Sequence, residues 1–220
     1  MQPAITGKKY DKIAQWWHDQ HVDSLYGVSH LEKALGFSSN RGKALDVGCG
    51  AGGRLIRVLQ ENGFSITGLD VSKEMVRLAS EKHPEHTFLN QDICTWKTSE
   101  KFDFIVAWDS IFHLPLAMHK PVLTKLCQIL TEKGILLYTF GNAEGDHTDQ
   151  WRNDTFYYSS IGINENLQIL MNNGLSMLHL ELDQYPEKHV CAIATKLKKS
   201  NHSSHNRSRC LYEKKIRSGK

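Results

Sequence analysis

Apolar runs of strand length alternate with helical patterns through the first 140 residues of the chain. The helical patterns space apolar side chains three or four positions apart, as at Val122, Leu123 and Leu126. The strand-like runs are of the kind that a sheet covered on both faces requires. They occupy residues 43–47, 65–69, 87–90, 102–108 and 134–140. Because strand and helix alternate repeatedly, the sequence predicts right-handed crossovers and an α/β fold with a doubly wound, mostly parallel sheet.

The last hundred residues depart from this alternation. A helical pattern ends at Asn172, and a strand-like run follows in which apolar and polar side chains alternate over residues 178–182. A second run, at residues 189–195, lies beyond a short connection over residues 183–188. A connection of that length joins neighbouring antiparallel strands, so we expect the sheet to end in an antiparallel C-terminal hairpin.

Charge is distributed unevenly along the 220 residues. The formal net charge is +3, from 27 Lys and Arg against 24 Asp and Glu. Residues 196–220 hold nine of the bases and one acid, which leaves the first 195 residues with 18 bases, 23 acids and a net charge of −5. We predict a single domain over residues 1–197 and a basic, disordered tail over residues 198–220, because the tail has too little apolar surface to offset its ordering entropy. Such a tail either solubilises the chain or anchors it to nucleic acid.

The chain contains no stretch of about 20 apolar residues that would cross a bilayer, and residues 1–12 lack the apolar middle of a secretory signal. Its five cysteines are odd in number and form no C-x-x-C pair. We therefore expect a cytoplasmic location and no membrane partner. The pair His18 and His21 shares a helical face but has no third ligand in its pattern, so we expect no metal site. No pattern in the sequence indicates an oligomeric state.

The most informative segment is KALDVGCGAGG at residues 43–53, a strand that runs into glycines and is followed at once by an amphipathic helix. Gly48, Gly50 and Gly52 let the backbone turn tightly and approach a ligand, while the helix N-terminus offers free N–H groups. Such a loop binds a nucleotide-like ligand. The spacing Gly48-x-Gly50-x-x-Gly53 also fits the dinucleotide fingerprint, and a tight turn that serves only packing is a further alternative.

Acidic residues stand where the second and third predicted strands end. Asp70 closes the run ITGLD about 20 residues after the glycine loop, where a carboxylate can bind both hydroxyls of a ribose. Ser72 is placed as the N-cap of the next helix. Asp92 follows the third strand, where it can accept from the exocyclic amine of an adenine. Because ligands of open α/β sheets bind at the carboxyl ends of the strands, we expect these acids and the glycine loop to meet in one crevice.

Five segments together resemble the successive motifs of the class I S-adenosylmethionine-dependent methyltransferases of the small-molecule type. They are residues 45–52, 68–72, 91–93, 102–108 and 134–138. The resemblance extends in order over residues 6–197. It implies a Rossmann-like methyltransferase fold with a seven-stranded sheet whose last strand is antiparallel. It also implies the cofactor S-adenosyl-L-methionine and transfer of its methyl group to an O, N or S nucleophile of a small molecule.

The resemblance assigns parts of the cofactor to particular residues. Asp46 and the glycine backbone would hold the methionine part, Asp70 the ribose, and Met75 would pack on the adenine, whose edge Asp92 would bind. Asp46 favours this cofactor over a dinucleotide, because a carboxylate attracts a positive amino group and repels a pyrophosphate. The complete set of cofactor-binding candidates is Asp46, Gly48, Cys49, Gly50, Gly52, Asp70, Val71, Met75, Asp92, Ile93 and Trp108.

Candidates for the chemistry follow the fourth predicted strand. His113 lies in the loop that faces the transferable methyl group in similar enzymes, and its ordinary pKa near 6.5 suits a general base. An alternative role for His113 is to pack the loop before Pro115. Asp109 is the second catalytic candidate, either to orient His113 or to bind substrate.

Aromatic and polar residues on loops and at the N-terminus are candidates for the substrate wall. Residues 1–36 are expected to form a helical lid, from a helical region over residues 10–35 that breaks near Gly27 and Ser29. Core packing is the alternative for most of these aromatic side chains. The substrate-binding candidates are Trp17, Tyr10, Trp151, Tyr157, Tyr158 and His189.

Other functions remain open at this point. An intact cofactor pocket also fits an S-adenosylmethionine-binding regulatory or partner subunit without turnover. The basic tail would suit a nucleic-acid methyltransferase, and the glycine spacing a nicotinamide oxidoreductase. We favour a small-molecule substrate because the first 195 residues carry a net charge of −5 and contain no dedicated nucleic-acid module. About 80 residues follow the fifth strand, too few for a second mononucleotide half and a substrate domain.

Overall fold

A computed structural model describes residues 1–186 and 188–198 of the chain. The predicted basic tail, residues 198–220, therefore lies outside the described residues apart from Lys198. Within the described part, no helix combines the length and the apolar character that a membrane crossing requires.

Three helices precede the sheet: α1 (Pro3–Asp11), α2 (Ala14–His21) and α3 (Val28–Phe37). Gly27 has a left-handed φ of +79° and precedes α3, so the expected break lies at this glycine, while Ser29 is already helical. The predicted helical region did not include most of α1, because the sequence PAITGKKYD has few apolar residues to mark a buried face.

The central sheet contains seven strands in the order β3-β2-β1-β4-β5-β9-β8. The strands of the chain are β1 (Lys43–Val47), β2 (Ser65–Asp70), β3 (Thr87–Asn90), β4 (Phe102–Ala107), β5 (Leu130–Gly141), β6 (Glu144–Trp151), β7 (Asp154–Ile161), β8 (Leu175–Glu181) and β9 (His189–Lys196). Strands β1 to β5 are parallel, and β9 runs antiparallel to both β5 and β8. The predicted α/β fold with an antiparallel C-terminal hairpin is therefore confirmed.

Helices cover both faces of the sheet. They are α4 (Arg54–Glu61), α5 (Lys73–Lys82), α6 (His119–Ile129) and α7 (Gly162–Asn172), together with the N-terminal helices. Alternate residues of β4 belong to different hydrophobic clusters: Phe104 and Val106 lie in one, and Ile105 and Ala107 in the other. All four side chains are fully buried, which explains why the central strands read as continuous apolar runs.

Strands β6 and β7 form a separate antiparallel hairpin that the sequence did not predict. A two-residue turn, Arg152 and Asn153, connects the strands, and both residues have positive φ, at +49° and +62°. These values match the turn that suits the right-handed twist of a hairpin. Most of β6 is exposed, so the segment lacks the alternation that marks a half-buried strand.

Candidate active site

A cavity of about 210 Å³ lies at the carboxyl ends of β1, β2 and β4, where helices α1 and α2 cover it. Its walls come from the glycine loop after β1, the end of β2, residues 91–93 after β3 and residues 108–114 after β4. The structure thus brings the predicted strand ends together, as expected for an open α/β sheet. The predicted residues that line the cavity are Tyr10, Trp17, Asp46, Gly48, Cys49, Gly50, Asp70, Val71, Met75, Asp92, Ile93, Trp108, Asp109 and His113.

The glycine loop depends on backbone conformations that favour glycine. Gly48, Gly50 and Gly52 have φ values of +78°, +54° and +65°. A Cβ atom on Gly48 would lie 2.3 Å from the Cβ of Ser110, so this glycine lets the loop approach the segment after β4. A Cβ on Gly52 would lie 3.0 Å from the Cα of Ala79. Gly52 therefore packs the loop against α5 and is not among the residues that line the cavity.

Asp70 is held in place by backbone amides. The N–H of Gly50 donates to one of its carboxylate oxygens over 2.9 Å, and the N–H of Ser72 donates to the other over 2.8 Å. Burial raises the pKa of Asp70, although these amide hydrogen bonds act to lower it. Each carboxylate oxygen has a further lone pair, so the side chain can still accept two hydroxyl hydrogens of a ribose.

Asp46 is a buried carboxylate with a strongly shifted ionisation. Burial and the nearby charge of Asp70 raise its pKa to about 7, and the positive charge of Arg54 only partly offsets them. A cationic group beside Asp46 would favour its charged form. The residue therefore suits a ligand that carries an ammonium group, such as the amino group of a methionine moiety.

Met75, Ile93 and Asp92 line the cavity beyond Asp70, the candidate for binding the ribose. Met75 and Ile93 are 2% and 6% exposed and border the cavity. One carboxylate oxygen of Asp92 accepts from the N–H of Cys94 over 2.8 Å, which fixes the turn after β3. Apolar side chains beside a polar acceptor suit a nucleobase with an exocyclic amine. Asp46, Asp70 and Asp92 thus line one cavity at the ends of successive strands.

Helix α1 is anchored to the sheet edge by polar contacts at its C-terminal end. One carboxylate oxygen of Asp11 accepts from the Ser72 hydroxyl over 2.7 Å and from the Glu74 N–H over 3.0 Å. On the opposite side, Lys12 donates to Asp154 of β7 over 2.7 Å. These contacts hold the N-terminal segment over the cavity, and Tyr10 and Trp17 line its wall.

His113 has a defined hydrogen-bonding pattern. Its Nδ1 lies 2.8 Å from the carbonyl oxygen of Tyr157, and its Nε2 lies 2.9 Å from the hydroxyl of Tyr10. Because a carbonyl only accepts, Nδ1 carries the hydrogen and Nε2 accepts from the Tyr10 hydroxyl. Burial lowers the pKa of His113, although the Tyr157 carbonyl and the charge of Asp109 act in the opposite direction. Burial also raises the pKa of Tyr10, so both side chains are neutral near pH 7.

Asp109 hydrogen-bonds to His189, not to His113. Its φ of +49° is unusual for a non-glycine residue, and its N–H donates to the Thr139 hydroxyl over 2.8 Å. His189 Nε2 donates to Asp109 over 2.8 Å and Nδ1 lies 2.6 Å from a carboxylate oxygen of Asp183. Burial lowers the pKa of His189, but the two carboxylates outweigh it and raise the pKa overall. The two carboxylates thus favour the cationic form of His189, which lies behind Asp109, outside the cavity lining.

The remaining substrate candidates form an outer layer. The ring centre of Trp151 lies 6.0 Å from that of Trp17, and Tyr158 lies 4.9 Å from His113 in the same measure. Tyr157 contributes its backbone carbonyl to His113. These three aromatic residues therefore support side chains that line the cavity and are not part of the lining themselves.

Arg54 and Tyr26 line the cavity, although the sequence did not single them out. Arg54 begins α4 directly after the glycine loop, and its guanidinium carbon lies 5.3 Å from the centre of the Tyr26 ring. Burial lowers the pKa of Arg54, while the charge of Asp109 acts to raise it. The position of Arg54 in the first turn of the helix was a usable signal. Tyr26 lies in the turn before α3, and no local pattern marks it.

His18 and His21 also border the cavity. The His21 ring stacks on Trp17 with ring centres 4.1 Å apart, and its Nδ1 lies 2.8 Å from the Trp17 carbonyl oxygen. Among residues 1–186 and 188–198, no group of three His, Cys, Asp or Glu side chains is arranged to hold a metal ion.

Comparisons with known proteins agree with the fold and the glycine loop. A family model described as "Methyltransferase domain" matches residues 44–134. The ubiquinone biosynthesis O-methyltransferase of Coxiella burnetii is 30% identical over 120 residues, which cover 49% of this chain and 50% of the relative. The chain thus spans about half the length of the curated relatives that it matches.

Two solved structures show the same architecture over most of the chain. The complex of DhpI with SAH has a TM-score of 0.69 and 16% identity, and the match covers 90% of this chain and 98% of that one. The magnesium protoporphyrin IX methyltransferase from Synechocystis PCC 6803 with bound SAM has a TM-score of 0.63 and 18% identity, with 89% and 98% covered. At these identities the likeness shows a shared fold.

Proposed function

We propose that the chain is a class I S-adenosylmethionine-dependent methyltransferase and that it transfers the cofactor's methyl group to an oxygen, nitrogen or sulfur atom of a small molecule. The observation that carries the proposal is the row of carboxylates, Asp46, Asp70 and Asp92, that follows successive strand ends into one cavity. We assign the catalytic domain to residues 1–197, with residues 1–36 as its lid.

The carboxylates match the charge and the shape of the cofactor. Asp46 would pair with the amino group, Asp70 would accept from the ribose hydroxyls, and Asp92 would accept from the adenine amine. S-adenosylmethionine carries a net positive charge, so a cavity with more acidic than basic groups attracts it. When bound, the cofactor supplies a methyl group that is already activated by the positive charge on sulfur.

The protein's contribution to such a reaction is mainly positioning and exclusion of water. Proximity and orientation can supply up to roughly 7 to 11 kcal/mol of the reduction in barrier. Helix α1 and Trp17 of α2 close the cavity from above, while Trp108, Asp109 and His113 form the wall after β4. The Coxiella burnetii relative is an O-methyltransferase, which supports oxygen among the three acceptor atoms.

The substitution Asp70→Ala tests the cofactor site. It removes two charge-assisted hydrogen bonds to the ribose, each worth about 1.5 to 3 kcal/mol, so we expect the dissociation constant for S-adenosylmethionine to rise by about 10²-fold or more. Isothermal titration calorimetry measures this constant. Asp146→Ala, which removes an exposed carboxylate from β6, is the matched control and should leave it unchanged. Unaltered affinity in Asp70→Ala would show that the cofactor does not use this carboxylate.

Turnover is tested separately from binding. The wild-type protein is incubated with S-adenosylmethionine and a metabolite extract, and mass spectrometry records which compounds gain one methyl group. A methylated metabolite supports the proposed activity. Tight cofactor binding without any methylated compound favours a regulatory subunit, and methyl transfer to RNA or DNA favours the nucleic-acid alternative.

A further inference from the structure

Two neutral polar side chains from distant parts of the chain meet in the wall of the cavity. Tyr10 belongs to α1, and His113 ends the short helical turn Ile111–His113 after β4. They stand 103 positions apart in sequence, yet the Tyr10 hydroxyl and His113 Nε2 are 2.9 Å apart. Both residues line the cavity, and the contact closes only when α1 is docked.

The direction of this hydrogen bond determines what His113 can do. Its Nδ1–H is committed to the carbonyl oxygen of Tyr157, so Nε2 is the only ring atom that can take up a proton. That nitrogen already accepts from Tyr10. A proton from a bound acceptor therefore reaches His113 through the phenol oxygen of Tyr10.

We propose that Tyr10 and His113 form a two-residue proton relay that deprotonates a hydroxyl or amine acceptor during methyl transfer. The relay rests on the proposed methyltransferase function. The acceptor atom forms its bond to the methyl carbon as the bond from that carbon to sulfur breaks and leaves its electron pair on sulfur. The acceptor's proton moves to the Tyr10 oxygen, and the proton of Tyr10 moves to His113 Nε2. The resulting imidazolium later returns a proton through Tyr10 to water.

The charges around Tyr10 favour a protonated hydroxyl or amine as the acceptor and disfavour a carboxylate. The carboxylates whose charges reach Tyr10 are Asp70 and Asp109, and both would repel an anion. The ammonium of Lys9 is 5.7 Å from the centre of the Phe156 ring, which contacts Tyr10, but it is bound to the Thr155 carbonyl and pairs with Asp154. A carboxylate acceptor has no proton to lose at neutral pH, so its methylation would not need the relay.

The groups that face the pair also predict a pH dependence. Asp109 lies at the end of β4, Tyr158 packs against His113 from β7, and His147 of β6 stacks on Tyr158. Burial holds the pKa of His113 below its ordinary value of 6.5 and the pKa of Tyr10 above its ordinary value of 10. The relay is therefore ready at neutral pH, and turnover should fall as the pH drops through the lowered pKa of His113.

Two substitutions separate proton transfer from support of the lid. Glutamine at position 113 can still accept from Tyr10 and donate to Tyr157, but it cannot take up a proton. His113→Gln should lower kcat by about 10² to 10⁴-fold and remove the acidic limb of the pH profile, with little change in KM or in cofactor affinity. Tyr10→Phe keeps the ring that packs near Trp17 and Phe156 and should lower kcat similarly. Tyr185→Phe, at a side chain that is 84% exposed, is the control for loss of a phenol hydroxyl.

Product chemistry and NMR complete the test. The methylated metabolite should be a methyl ether or an N-methyl amine, which survive mild alkali, whereas a methyl ester would be hydrolysed. Nitrogen NMR of the histidine rings should show His113 protonated at Nδ1 and bare at Nε2 in the wild type, with a changed Nε2 signal in Tyr10→Phe. A methyl ester, a protonated Nε2 or full turnover in His113→Gln would overturn the relay. Absence of cofactor binding by the wild type would instead overturn the proposed function itself.

Discussion

The cavity has two halves that are built in different ways. The cofactor half comes from residues 43–93, and its polar contacts involve backbone amides such as Gly50 N–H and Ser72 N–H on Asp70. The acceptor half joins side chains from α1, the segment after β4 and the start of β9, whose hydrogen-bonded partners stand 103 and 80 positions apart in sequence. Local backbone geometry thus forms the first half, whereas the docking of separate elements forms the second.

The largest effect is expected in the cofactor half, from Gly48→Ala. Alanine would strain the positive φ at this position, which costs about 1 to 2 kcal/mol, and its Cβ would overlap Ser110. Overpacking adds about 1 to 3 kcal/mol, so we expect the free energy of unfolding to fall by about 3 kcal/mol. Urea denaturation measures this loss.

Gly63→Ala is the matched control for Gly48→Ala. Gly63 has a similar φ of +82°, but nothing lies within 4 Å of an added Cβ. Its substitution should therefore cost only the backbone strain, about 1 to 2 kcal/mol. Equal losses in the two variants would show that the close approach of the glycine loop to Ser110 does not affect the free energy of unfolding.

An intermediate effect is expected in the acceptor half, from His189→Gln. Glutamine cannot carry the charge that joins Asp109 and Asp183, and the Asp183 side chain is only 2% exposed. Breaking a buried ion pair costs about 3 to 5 kcal/mol, and partial exposure of Asp109 reduces this to about 2 kcal/mol. Denaturation at pH 6 should reveal the loss.

The same pair gives a pH dependence with a definite sign. The folded pKa of His189 is raised above the unfolded value of about 6.5, so its contribution is complete below that pH and is lost as the pH rises through the folded pKa. The difference between wild type and His189→Gln should therefore shrink at alkaline pH. His179→Gln, at a pair with one partly exposed carboxylate, is the control and should change stability by under about 1 kcal/mol. A constant difference at all pH values would contradict a charged His189.

The smallest effect is expected for the anchor of the lid, Asp11→Ala. This change removes the acceptor for the Ser72 hydroxyl and the Glu74 N–H at the start of α5, a contact similar to a helix cap. We expect a loss of about 1 kcal/mol and faster tryptic cleavage after Lys8 or Lys12. Asp11→Asn keeps an acceptor oxygen and should retain most of the stability. If Asp11→Ala resists trypsin as the wild type does, other contacts hold α1 in place.

The order of strands and helices was predictable because it depends on short-range periodicity. The five predicted parallel strands coincide with β1 to β5, although β5 begins at Leu130, earlier than the predicted residue 134. The hairpin of β6 and β7 was missed, because exposed side chains in β6 carry no apolar alternation. Its turn at Arg152 and Asn153 lacks the glycine that usually marks this conformation.

The candidate site was likewise predictable only in part. Asp46, Asp70 and Asp92 follow strand ends, so a strand pattern is enough to bring them together. His113 was also located in this way, and Tyr10 was a substrate candidate in the predicted lid. Their hydrogen bond was not predictable, because only the docking of α1 brings the two side chains together. His189 was expected at the substrate, whereas the structure places it behind Asp109.

The sequence by itself determined the sheet, the glycine loop and the acids of the cofactor half, because periodicity and backbone conformation act over a few residues and leave a readable pattern. Only the tertiary structure decided which polar groups meet in the acceptor half. Hydrogen bonds such as those of Tyr10 with His113 and of His189 with Asp109 form between elements far apart in sequence. Their geometry depends on how α1 and the C-terminal hairpin pack against the sheet, and no local pattern encodes that packing.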